Sequence, residues 1–150
     1  MTAVMVGESA AAGVRLRRLH ELSQVTQPTT PEVFAVQLAE AARLPSDTLD
    51  EVQVKATLFT EALIGARDDL PVELATAVTA HMGIPQTYFV DASIAAQTDI
   101  DLINTALQHY GVTDVFLCRG GKMTPAERAN GLALALSFTQ HDEESEADSR

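Results

Sequence analysis

The stretch "HMGIPQTYFVD", residues His81–Asp91, decides how the chain is read. A run of small and apolar residues stops at Gly83, the residue best suited to end a helix. Ile84-Pro85 then forces extended backbone. Tyr88-Phe89 follows at once, so a Tyr and a Phe are spent on one short turn. Aromatic side chains carry large buried areas. A pair of them directly behind a helix end is expected to plug that end against neighbouring helices.

Outward from this turn the signals are helical. Pro71 opens the helix that Gly83 closes. Upstream, Val52, Val54, Leu58, Phe59, Ala62 and Leu63 recur at helical spacing over about 49–64, and Gly65 stops them. Thr30-Pro31 supplies a cap and a first-turn proline for a helix with Phe34, Leu38 and Ala41. Leu16, Leu19 and Leu22 mark a first helix over about 9–22, and "SQVTQPTT" (23–30) reads as a loop. Downstream, Ile100, Ile103, Leu107 and Tyr110 recur three and four apart, the spacing of a helix–helix seam. "VTDVFLCR" reads as a short helix or turn, and Gly120-Gly121 as a break. "TPAE" (124–127) is a capping box that opens a final helix to about Gln140. Its "LALALSF" is apolar on nearly every side, so the helix needs burial, and a second subunit is the expected cover. "HDEESEADSR" carries almost nothing to bury and is expected to be disordered. Strand alternation is absent, so the expected class is all-α.

Composition narrows function. The 150 residues carry a net charge of −11. Eleven carboxylates face only Lys55 and Arg67 between residues 44 and 118, which disfavours phosphate backbones. The single cysteine, Cys118, cannot form an intramolecular disulfide, which suits a reducing, cytoplasmic setting. No signal peptide and no membrane span are expected. His20, His81, His109 and His141 are scattered without ligand spacing, so no metal is expected. Phosphate loops, dinucleotide fingerprints and nucleophile elbows are missing. Asp68-Asp69 reads as a solvated acid pair and Cys118 as a packing residue. Neither an enzyme nor a cofactor is expected.

The order of these elements resembles a lambda-repressor-like (Xre-type) helix-turn-helix domain: a helix ending at Gly65, a polar spacer, the helix "VELATAVTAHMGIP", then "QTYFVD". More specifically it is similar to actinobacterial regulators of the EspR type. "RLRRLHEL" (15–22), "TTPEVFAVQL" (29–38), the helix after Asp91, "GVTDVFLCR" and "MTPAERANGLALAL" occur in that family's order over about residues 15–140. The resemblance implies a helix-turn-helix domain over 1–92, a helical dimerisation module over 93–140 and an acidic tail over 141–150. It also implies a homodimer acting on double-stranded DNA as a transcriptional regulator or nucleoid-associated protein.

Under that reading, "LDEVQVKATLFTEALIG" is the reading helix, and Gln53, Lys55 and Thr57 are its candidate base or phosphate contacts. Arg15, Arg17 and Arg18 are candidate phosphate contacts on the first helix. Ile103, Leu107, Leu132, Leu134, Leu136 and Phe138 are the candidate dimer contacts. Asp50 and Glu51 at the start of the reading helix oppose DNA. The alternative is therefore a degenerate helix-turn-helix protein that acts through contacts with another protein.

Overall fold

A computed structural model describes residues 4–7, 10–112 and 122–148, with side chains to residue 140. Six helices account for the regular structure among these residues, and no strand is present among them. They are α1 (Ala12–Ser23), α2 (Pro31–Ala41), α3 (Leu49–Leu63), α4 (Val72–Met82), α5 (Ala92–His109) and α6 (Pro125–Asp148). The short element expected in "VTDVFLCR" and the Gly120-Gly121 break, Cys118 included, lie outside the described residues.

Local chemistry sets most helix ends. The Thr30 hydroxyl accepts from Val33 N, Thr48 from Glu51 N, Asp91 from Ile94 N and Thr124 from Glu127 N. Each satisfies one of the amides that a helix start leaves without a partner. α4 ends at Gly83 with φ of 67°, a left-handed position suited to glycine, and Ile84 N reaches back to Thr79 O at 3.0 Å.

Two expectations are corrected. α1 starts at Ala12, three residues later than read, because Gly13 N donates to Asp68 O at 2.8 Å and anchors the helix start on the α3–α4 loop. The stretch from His141, expected to be disordered, continues α6 as far as Asp148. Propagating a formed helix is easier than nucleating one, and the Glu and Ala of this stretch are good helix formers.

Packing divides into two adjoining cores. The first joins Leu16 and Leu19 of α1, Phe34 and Leu38 of α2, Phe59 and Leu63 of α3, Leu74 and Val78 of α4, and the Tyr88-Phe89 turn. The second joins Ile100, Ile103 and Leu107 of α5 to Leu132 and Leu136 of α6, with Leu22 and Val25 from the end of α1 and the loop behind it. Each fully buried leucine contributes roughly 1.5–3 kcal/mol. Because α1 serves both cores, packing runs across the boundary expected at residue 92.

The aromatic turn does more than plug a helix end. The Tyr88 and Phe89 rings meet edge to face at 5.2 Å. Tyr88 is fully buried, and its hydroxyl donates to Asp99 Oδ1 of α5 at 2.6 Å. The turn thereby fixes the angle at which α5 leaves the first core.

Candidate nucleic-acid interface

A surface that reads DNA needs free cations beside a helix that enters the groove. The first candidates are the arginines of α1, and two of the three point inward. Arg18 is 0% exposed and Arg15 only 4%. Arg18 Nη1 pairs with Asp99 Oδ2 at 3.2 Å, Nη2 donates to Asn130 Oδ1 at 2.6 Å, and Nε donates to Val4 O at 3.1 Å, with Nη2 also on Val4 O. Arg15 Nε donates to Ala10 O at 3.4 Å. Arg17 is half-buried and donates to Ala62 O at 2.8 Å, a carbonyl in the last turn of α3 that also accepts from Gly65 N at 3.4 Å. The expected phosphate cluster is therefore a set of internal fasteners. Their donors are committed to the N-terminal segment, α3, α5 and α6.

The centre of this network is a buried triad, with Tyr88 and Arg18 both donating to Asp99. Burial pushes the Asp99 carboxyl above the usual carboxylate range, against the opposing pull of the Tyr88 hydrogen bond and the Arg18 charge. Burial also raises the Tyr88 phenol far above its ordinary value, with the Asp99 charge adding to the effect. Glu21 is raised by burial too, although it accepts from Val4 N at 2.8 Å. Asn130 completes the clasp on the N-terminal segment, accepting from Val6 N at 3.0 Å and donating to Val6 O at 3.1 Å.

On α3, Gln53 and Thr57 are exposed, and the Thr57 hydroxyl donates back to Gln53 O at 3.0 Å. Lys55 is turned toward the α2–α3 loop. Its Nζ donates to Asp47 Oδ2 at 2.6 Å and to Ala42 O, at the C-terminal end of α2, at 2.9 Å. Asp47 is held below its ordinary range, first by the Leu44 backbone N–H and then by Lys55. The exposed face of α3 otherwise offers Asp50, Glu51, Leu49 at 78% and Val54 at 59% exposed. Among the described cations, Arg43, Lys122 and Arg128 are the exposed ones, and none of them lies on α1 or α3.

The candidate dimer contacts also divide. Ile103, Leu107, Leu132 and Leu136 are buried between α5 and α6 of one chain. Leu134 at 39% and Phe138 at 62% exposed remain on the outer side of α6. The apolar pattern of that helix is thus largely consumed within the chain, with a smaller face left over.

Sequence reasoning missed the roles of Asp99, Asn130 and His20. The signal for Asp99 was a lone acid at helical spacing from Ala95, Ala96 and Ile103. His20 Nε2 lies 3.0 Å from Thr29 O, its ring meets Phe34 at 4.9 Å, and burial lowers its pKa. Among the described residues no three His, Cys, Asp or Glu side chains gather as a metal site. None of the described helices is long and apolar enough to cross a membrane. Comparison with protein-family models, curated proteins and solved structures finds no match to this chain.

Proposed function

We propose that this chain is a helix-turn-helix-like protein that does not read DNA and acts as a protein–protein interaction module. The observation that carries this reading is the fate of its cations. Arg15 and Arg18 are buried, Arg17 closes the end of α3, and Lys55 is paired within the α2–α3 loop. With these groups committed, phosphate contacts from α1 and α3 have almost nothing to draw on, and Asp50 and Glu51 repel a duplex at the helix start. The exposed Leu49 and Val54 beside these acids suit a partner with an apolar contact face and a basic rim. Leu134 and Phe138 are the contacts through which the chain pairs with a second copy.

The second reading, a dimeric DNA-binding regulator, is supported by the exposure of Gln53 and Thr57 on α3 and by the order of the elements. Fluorescence anisotropy with a mixed-sequence duplex at low salt separates the two. The interaction reading expects no saturable binding by the native chain or by Asp50→Asn/Glu51→Gln. Binding that weakens steeply with salt, and strengthens in the neutralised variant, would support the regulator instead.

A further inference from the structure

A cavity lies at the junction of the two cores. It has a volume of about 300 Å³ and opens to solvent on one side. It forms where the two cores meet, with Phe34 of the first core facing Leu22, Val25 and Ala106 of the second. All four are buried. The rim is polar and carries Gln27, Gln37, His81 and Thr105, all exposed. Among the described residues no Asp, Glu, Lys or Arg lines it. The loop that forms one wall is held in shape from outside the cavity. Gln24 Nε2 donates to Thr29 O at 2.8 Å, and Thr29 N donates to Gln24 Oε1 at 2.8 Å.

The cavity is a cleft that opens to solvent where the two packed cores adjoin. Its volume is roughly twice the ~150 Å³ at which an apolar cavity accepts a benzene ring. The walls follow the pattern of small-molecule sites, an apolar floor with a few polar groups at the mouth. The side-chain amides of Gln27 and Gln37 make no hydrogen bond among the described residues, so their donors and acceptors are open to a ligand. Charge fixes the rest of the ligand's chemistry. Among the described residues the wall offers no Lys or Arg to hold an anion, and the chain's net charge of −11 opposes one. A cation finds no carboxylate among the described residues of the wall.

We propose that this cavity binds a neutral, mostly apolar small molecule about the size of a bicyclic aromatic, with one hydrogen-bonding group at the Gln27–Gln37 rim. The site is independent of whether the chain contacts DNA or protein. Because the floor is shared by both cores, a ligand seated there touches the first core and the α5–α6 pair together.

N-phenyl-1-naphthylamine is a suitable probe. It is neutral, carries one N–H, and fluoresces strongly only out of water. Titration into the full chain is expected to give a saturable, blue-shifted signal with one site per chain. Ala106→Phe fills the floor and Thr105→Phe covers the mouth. Each is expected to weaken binding about tenfold or more, the loss of a well-packed apolar contact or two. Val72→Ser removes an exposed apolar side chain at the far end of α4 and should leave binding unchanged. Circular dichroism melts check that the variants fold, and if Ala106→Phe does not, the exposed Thr105→Phe decides alone. An unsaturable signal overturns the proposal. So does equal affinity in a folded Thr105→Phe variant, since the probe would then sit on the surface.

Discussion

Replacing Arg18 with Met would remove the guanidinium and keep the apolar stem. Arg18 is among the largest fully buried side chains and joins four parts of the fold: α1, the segment at Val4, Asp99 of α5 and Asn130 of α6. The substitution removes the Asp99 ion-pair partner and leaves it the Tyr88 hydrogen bond and the charge of the buried Arg15. Breaking a buried ion pair by removing one partner costs about 3–5 kcal/mol. At 2–4 °C per kcal/mol for a chain of this size, Tm should fall by about 6–20 °C. Adding Asp99→Asn removes the carboxylate charge while keeping an acceptor for Tyr88, so the double variant should recover a large part of the loss.

The pH dependence has a definite sign. Asp99 already titrates above its ordinary value, and loss of the Arg18 charge raises it further. A carboxyl raised on folding favours the folded state at acidic pH, and this contribution is lost as pH rises through the folded pKa. The deficit of Arg18→Met should therefore be larger at neutral pH than at acidic pH. Thermal melts of the native chain, Arg18→Met, Asp99→Asn and the double variant provide the cycle. A fall below about 1 kcal/mol for Arg18→Met, within the range of an exposed pair, would refute the reasoning, as would strictly additive single losses.

A β-carbon added at Gly13 would sit 2.7 Å from Arg67 O and 3.0 Å from Asp68 O, both backbone atoms. Gly13→Ala should therefore cost about 1–3 kcal/mol, read as a lowered urea midpoint. Under the proposed pairing through Leu134 and Phe138, Leu134→Glu should give a monomer by light scattering where the native chain gives a dimer, whereas Leu136→Glu buries a charge between α5 and α6 and should unfold the chain. His20 is lowered by burial. Its contribution is therefore present above the unfolded value of about 6.5 and lost as pH falls through the folded pKa. The Tm advantage of the native chain over His20→Gln should shrink between pH 7.5 and 5.5, and a constant difference would show that His20 keeps its state on unfolding.

Helix positions were legible because their signals are local. Thr30-Pro31, Gly83 and Thr124-Pro125 each act on backbone groups within a few residues. The destination of the α1 arginines was not legible, because a charged residue's usual place is the surface. Burial of Arg18 depends on Asp99, 81 positions away, and on Asn130, 112 positions away. A hint existed. Arg15, Arg18 and Leu22 share a helical stripe, and only Arg17 points elsewhere. The extension of α6 beyond Gln140 was hidden for a different reason, since apolar content predicts packing and helix propagation does not require it. The cavity depends on how two cores fail to close over one another, which no local pattern records.

Arg15 and Arg18 of α1 belong to the interior. Arginine labelling with phenylglyoxal under native conditions, read by peptide mass spectrometry, measures this directly. Arg43 and Arg128 are exposed and should label readily. Arg15 and Arg18 should label about tenfold more slowly or less, and should reach the rate of the others once the chain is unfolded in denaturant. Native-state labelling of Arg15 and Arg18 as fast as Arg43 would place the cluster on the surface, and would return it to the phosphate-binding role that the buried network denies it.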